Sequence, residues 1–444
     1  VTDEAPQGLP EGASLSGEDH FGAGAAARHR YGVLYQGPWE TSGDGANRAV
    51  RLHARALAGT GIPVLLKSFA HVVVKNGIAM PVIDSGVPGE IRDEVGDLVR
   101  APIRETIPLI RHLVPRSAES LRQIVVPRSV IHEDVRALAA LRESLMRANI
   151  LFTVWERDRI PDEIARVLSR VGGCWVPCTQ NAEALAEAGV RSERLHLVPH
   201  PFDPASRLAQ EGPGRAPVAG KHFLSIGLWQ PRKALHESLG AFLRTFEPDE
   251  ATYTIKTPPT NWPGYPTPQE SIRGWLEDER VRAKGWTTAA LKGRVRLILS
   301  RLSDDEIVDL HLGSNIYLSA SHGEGWGLPA FDAKVAGNRL VHVAWGGTTD
   351  FEGEGDVRIP YRMGPIHPSY PWDAGTQWAE YDVEALEQAL RDVQPPSSHE
   401  RPEWFDAAFS MEAVGRKMLR YVMQTAEEAD PKAAAYLREQ VGGR

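Results

Sequence analysis

The stretch "SASHGEGWGLPAFDAKVAGNRLV", Ser319 to Val341, sets one carboxylate, Glu324, among alternating glycines and a second, Asp332, just after the proline that follows. The preceding "NIYLSAS" reads as a strand and Pro329 suits the first turn of a helix, so Gly323, Gly325 and Gly327 fall in a strand-to-helix turn. In open α/β sheets ligands bind at the carboxyl ends of strands, and helix N-termini favour anions. Missing side chains let a bulky anion come close to the backbone. Carboxylates accept hydrogen bonds, so their natural partners are hydroxyl groups. A ligand with a diphosphate for the amides and polyols on either side, such as a nucleotide sugar, meets both demands. Taken singly, these residues also describe a tight turn before a capped helix; the length of the ordered series favours the ligand site.

The elements that must carry this loop follow from pattern and composition. At 444 residues the chain exceeds what one hydrophobic core usually serves, and 42% hydrophobic with 24% charged residues fits a soluble two-domain protein. From Tyr31 onward short Val/Ile/Leu-rich runs alternate with helical patterns, as in parallel sheets covered by helices. A Pro/Gly-rich break spans residues 202–221, after which the alternation restarts at "HFLSIGL" and ends in helices beyond Asp382. The expected layout is an arm (1–30), a first Rossmann-like domain (31–205) and a linker (206–220). A Rossmann-like nucleotide-sugar domain (221–395) and helices bracing the first domain (396–444) complete it.

Composition also excludes classes. A net charge of -8 offers no global attraction to nucleic acid or anionic lipid. The arginines between Arg92 and Arg147 are interleaved with acids, as on a solvated helical surface. No apolar run reaches the ~18–20 residues a membrane span needs. The two cysteines, Cys174 and Cys178, lack a second Cys/His pair at zinc-finger spacing. The acidic first thirty residues do not resemble a signal peptide, which makes a cytoplasmic location the expectation.

"SHGEGWGLPAFDAKVAGNRLV" resembles the signature of the glycosyltransferase group 1 family, retaining enzymes whose two Rossmann-like domains face each other in the GT-B fold. That signature is a Glu, seven residues and a second Glu. Here Glu324, Gly325, Gly327, Leu328, Pro329, Ala333 and Gly337 fall in register, with Asp332 in place of the second Glu. The resemblance implies that Glu324 contacts the donor sugar or its phosphates, that Asp332 holds the ribose hydroxyls, and that Trp326 belongs to the donor-binding loop. "FLSIGLWQPRKALHESLGAF" resembles the first strand, loop and helix of the family's nucleotide-binding domain, with Gly227 in the loop and Lys233 at the position of a family lysine. A cation there stabilises the leaving diphosphate. Leu228 stands where members carry Arg, and the neighbouring Arg232 is the candidate replacement.

"WGGTTDF" resembles the family's Gly-Gly loop and makes Gly346, Gly347 and Thr348 donor contacts. In the first half, "ILFTVWERDRIPDE" carries Trp155 and Glu156 where many members have a His; both are assigned to the acceptor-side cleft, with an ion pair from Glu156 to Arg157 or Arg159 as the structural alternative. "GPWETSGDGANRAV" is similar to a turn facing donor phosphates and acceptor, with Gly43 and Gly45 at the close approach. The implied activity is transfer of a sugar, with retention, from a nucleoside diphosphate sugar to a hydroxyl acceptor of unknown identity. It needs no cofactor and no metal: "SDDE", Ser303 to Glu306, reads as a helix cap rather than an Asp-x-Asp clamp. A phosphorylase or epimerase on the same scaffold, a non-catalytic nucleotide-sugar-binding protein, and a transferase acting on DNA are the alternatives.

Overall fold

The computed structural model describes residues 29–39, 45–67, 72–75, 78–81, 89–99, 101, 103–112, 146–370 and 375–442. Residues 1–28 of the expected N-terminal arm, Gly43 and most of "EDVRALAALRESLMRAN", whose amphipathic pattern reads as a long helix, lie outside them, while His29 and Arg30 belong to the first strand.

In chain order the first half holds β1 (His29–Gln36), β2 (Val64–Lys67), a hairpin of β3 (Val72–Lys75) and β4 (Ile78–Pro81), then β5 (Ile103–His112), β6 (Asn149–Phe152), β7 (Gly173–Val176) and β8 (Leu195–Leu197). Apart from the hairpin these form one sheet, ordered β2-β1-β5-β6-β7-β8, in which every pair is parallel. The second half holds β9 (Lys221–Ile226), β10 (Ala251–Lys256), β11 (Val295–Ile298), β12 (Ile316–Ser319), β13 (Arg339–Val343) and β14 (Val357–Ile359). They form a second parallel sheet, ordered β11-β10-β9-β12-β13-β14. A two-stranded antiparallel ribbon, β15 (Arg362–Pro365) with β16 (Gln377–Glu380), follows it.

Continuous apolar runs such as β6 and β7 are buried along their whole length, as a sheet covered on both faces requires. In the second sheet the crossover from β9 runs outward to β10, whereas β12 hands on to β13 on the other side. The adjoining ends of β9 and β12 are therefore the switch point at which open α/β sheets bind ligands.

The last helices, Met411–Ala429 and Pro431–Gly442, return to the first sheet. Val414, Met418, Val422 and Ala426 join Val33, Tyr35, Val50 and Leu57 in one buried cluster. Gly415 lets that helix press on Ala56, whose carbonyl oxygen would lie 2.2 Å from a Cβ. The Pro/Gly-rich break read from sequence contains a short helix, Arg207–Glu211; Arg215 then donates to the Gly212 carbonyl at that helix's end and to the Ser314 carbonyl in the second half. Between β10 and β11 the chain, rich in Trp and Pro, folds as Pro268–Glu277, Glu279–Ala283 and Thr288–Arg294, capped by Thr267, Asp278 and Thr287. Among the described residues no helix is long and apolar enough to cross a membrane.

Two fully enclosed histidines make stability depend on pH. His53 lies under the first sheet between the carbonyls of Ala49 and Pro199, and burial pushes its pKa down to about 4. Burial does the same to His311. Both bind a proton less readily folded than unfolded, so the stability they leave intact above pH 6.5 is lost as pH falls toward 4. Each contributes a slope of up to about 1.4 kcal/mol per pH unit. Urea midpoints measured from pH 7 to 4 will fall, and less steeply in His311→Leu; an unchanged slope in that variant contradicts the assignment.

Candidate functional site

The site is built by two loops leaving β9 and β12 side by side. After β9 the chain makes a tight turn, Pro231–Lys233, and Ala234 takes a left-handed conformation (φ 48°) before helix Leu235–Thr245 begins. That turn projects Arg232 and Lys233 toward the neighbouring loop. After β12 the glycine-rich loop ends at Gly327, also left-handed (φ 88°), and Pro329 occupies the first turn of helix Leu328–Val335. The two loops are joined at the carbonyl of Arg232, which accepts from the His322 amide at 2.8 Å and the Ser321 hydroxyl at 3.0 Å.

Glu324, 7% exposed, is the centre of the charge arrangement. Lys233 Nζ lies 2.5 Å from its Oε1 and Arg232 Nη1 3.5 Å from its Oε2. Arg232 also donates to the Gly323 carbonyl at 2.5 Å and reaches Glu156 in the first half, Nη2 to Oε1 3.1 Å. Burial alone would raise the Glu324 carboxyl; the charges of Lys233 and Arg232 outweigh it and hold the group below the usual carboxylate range. Beside this cluster lies a narrow crevice bordered by Ile226, Lys233, Tyr317, Ser321, Glu324 and Pro329.

The expected residues divide into those facing this crevice and those facing protein. Glu324, Lys233, Arg232 and Glu156 come together as one chain of alternating charge, and Glu156 pairs with Arg232 rather than supplying a free carboxylate. Gly227 rests against the stem of Lys233. Leu228 is 44% exposed. Asp332, 5% exposed, forms an ion pair with Arg48 from the first turn of helix Gly45–Ala58. Gly45 meets Leu328 across the same boundary, 3.1 Å from its Cδ1 to a Cβ placed there.

Several of the expected residues have their side chains packed in protein. Trp326 is buried among Phe331, Phe351 and Phe409 and serves as core beneath the loop. The Trp155 side chain is buried in the first half, its indole N–H donating to the Arg159 carbonyl at 2.8 Å, while its backbone lies against Gly325. Thr348 points inward, its hydroxyl 3.1 Å from His342 Nδ1. Three of the glycines meet protein on the side where a Cβ would stand. A Cβ on Gly323 would sit 2.2 Å from the Glu156 carbonyl oxygen, one on Gly325 2.8 Å from Val154, and one on Gly347 2.4 Å from Trp326 Cα. Gly346 (φ 91°) and Gly347 lie along the Glu324 backbone, where the Gly347 amide donates to the Glu324 carbonyl at 2.7 Å.

Sequence reasoning missed Arg48 and Ser321. Arg48 is three residues past Gly45 in the quoted turn, but a cation that acts across domains has no local spacing to betray it. Ser321 stands inside the opening motif and its hydroxyl was a visible signal. Further polar contacts join the halves: Asp350 accepts from the amide and hydroxyl of Thr179 at 2.8 and 2.9 Å, and Asp158 and Gln377 exchange hydrogen bonds. Among the described residues no group of three or more His, Cys, Asp or Glu side chains is placed to hold a metal ion.

No family model matches the chain, and no curated protein matches it. Among solved structures it is similar to Anabaena Alr3699/HepE in complex with UDP and glucose, with a TM-score of 0.50, 12% identity, and 88% of this chain and 99% of that chain covered. The same protein in complex with UDP gives 0.50 and 12%, covering 88% of this chain and 98% of that one. With the two parallel six-stranded sheets, this likeness establishes the fold as GT-B, two Rossmann-like domains facing each other.

The glycine contacts yield opposite expectations for one substitution. Gly347→Ala forces a methyl into the Trp326 backbone and lowers stability by about 1–3 kcal/mol. Gly274→Ala, in the interior of helix Pro268–Glu277 with open space around it, raises stability by roughly 0.5–1 kcal/mol. Chemical denaturation of the two variants checks both signs.

Proposed function

We propose that this chain transfers a glycosyl group, with retention, from a nucleoside diphosphate sugar to a hydroxyl acceptor. The observation that carries the reading is the buried Glu324 carboxylate held by Lys233 and Arg232 at the switch point of the second sheet. An entering diphosphate takes over the two cations and leaves Glu324 to accept hydrogen bonds from sugar hydroxyls. Asp332 accepts from the ribose. The bond from the anomeric carbon to the diphosphate oxygen then breaks, the acceptor oxygen bonds to that carbon on the same face, and the acceptor proton passes to the leaving phosphate. Lys233, Arg232 and the amides at the start of helix Leu328–Val335 stabilise the charge that develops on the diphosphate. The donor is the only small molecule besides the acceptor that this scheme requires. The GT-B fold and the sequence signature support the reading, and the fold relative crystallised with UDP and glucose makes uridine the first nucleotide to test.

The test is a thermal-shift titration with UDP-, GDP-, ADP- and TDP-sugars, followed by an assay of sugar release and transfer. One nucleotide will raise the melting temperature. Lys233→Ala will weaken that shift, and Glu324→Gln will retain binding while lowering turnover roughly 100-fold. Binding without release or transfer points instead to a nucleotide-sugar-binding protein, and no shift with any donor overturns the site.

A further inference from the structure

We infer that Arg48 sets the affinity for the donor by competing with the nucleotide ribose for Asp332, so that binding the nucleotide and releasing a contact between the two domains are one event. The inference rests on the proposed function, in which Asp332 is the ribose acceptor. Asp332 stands one helical turn beyond Pro329, which borders the crevice, and its side chain is 7% exposed. Its Oδ2 is engaged by Arg48 Nη1 from the opposite domain. A guanidinium-carboxylate hydrogen bond is charge-assisted and stronger than one from a neutral hydroxyl. A ribose hydroxyl that takes Oδ2 therefore has to replace Arg48 there.

The two partners are unequal in what they lose. The Arg48 side chain is 34% exposed and can pass into water when displaced, whereas the enclosed Asp332 carboxylate must keep hydrogen-bond donors. Ribose hydroxyls supply those donors. Because Arg48 begins the first-domain helix and Asp332 lies in the second-domain helix, the exchange removes a tie between domains each time nucleotide enters. The binding-competent state is then only a fraction of the free protein, and the apparent affinity is reduced by that fraction.

The experiment is calorimetric titration of UDP and of 2′,3′-dideoxy-UDP into the parent, Arg48→Ala and Arg48→Gln. The expected result is UDP binding about three- to tenfold tighter in both variants, with the dideoxy analogue bound equally by all three proteins. A damaged fold weakens binding rather than tightening it, so the gain separates competition from a merely structural role. Equal or weaker UDP binding in both variants, beside normal binding by the parent, overturns the inference and leaves the donor site standing. An equal gain for the dideoxy analogue also overturns it, because the effect then bypasses the ribose. UDP bound by none of the three proteins overturns the uridine donor site and this inference with it.

Discussion

A carboxylate removed from water must be matched by cations within hydrogen-bond reach, because its desolvation costs several kcal/mol. Glu324 is such a group, and much of the second domain is arranged to meet that demand. Lys233 and Arg232 reach it only because β9 and β12 are neighbours and their crossovers diverge. Ala234, a non-glycine residue in left-handed conformation, turns the chain so that both cations precede the helix rather than lie within it. The Gly346-Gly347 turn then lies along the Glu324 backbone, and the Trp326 cluster supports it from below.

The same demand explains the glycines. A loop that buries a charge has to be packed on all sides, and here the packing partner is other backbone. Gly323 and Gly325 admit the Val154–Glu156 segment of the first domain, and Gly347 admits the Trp326 backbone. The sequence pattern correctly marked positions where no side chain fits, but an absent side chain does not say whether a ligand or a peptide fills the space. That ambiguity is physical: both call for the same van der Waals clearance.

Legibility followed the range of the interaction. The alternation of apolar runs and helices is local, so both parallel sheets were readable, down to the strand before Glu324 and the helix after it. The three helices between Pro268 and Arg294 were obscured by neighbouring Trp and Pro residues, although the capping box of Thr267 and Glu270 is a local signal that could have placed the first of them. Trp326 and Trp155 have the aromatic character of ligand contacts, and only tertiary packing assigns them to cores. Arg48 was unreadable for the opposite reason, since its partner is 284 residues away.

The charges of the site form pairs before any ligand arrives. Glu156 and Glu324 flank Arg232, Lys233 completes that chain, and Arg48 offsets Asp332. Three cations face three carboxylates, so the cluster has no surplus positive charge with which to attract an anion. Under the proposed function a diphosphate binds by exchange: it gains Lys233 and Arg232 only as Glu324 and Glu156 give them up, and the buried Glu324 then needs hydroxyl donors in return, whereas the partly exposed Glu156 can turn to water. An inorganic anion on the same cations brings no sugar hydroxyls to the buried Glu324 carboxylate. Under the same proposal a ligand carrying phosphates and polyols on one frame satisfies both sides of the exchange, which makes the neutrality of the cluster, rather than any single contact, the source of discrimination.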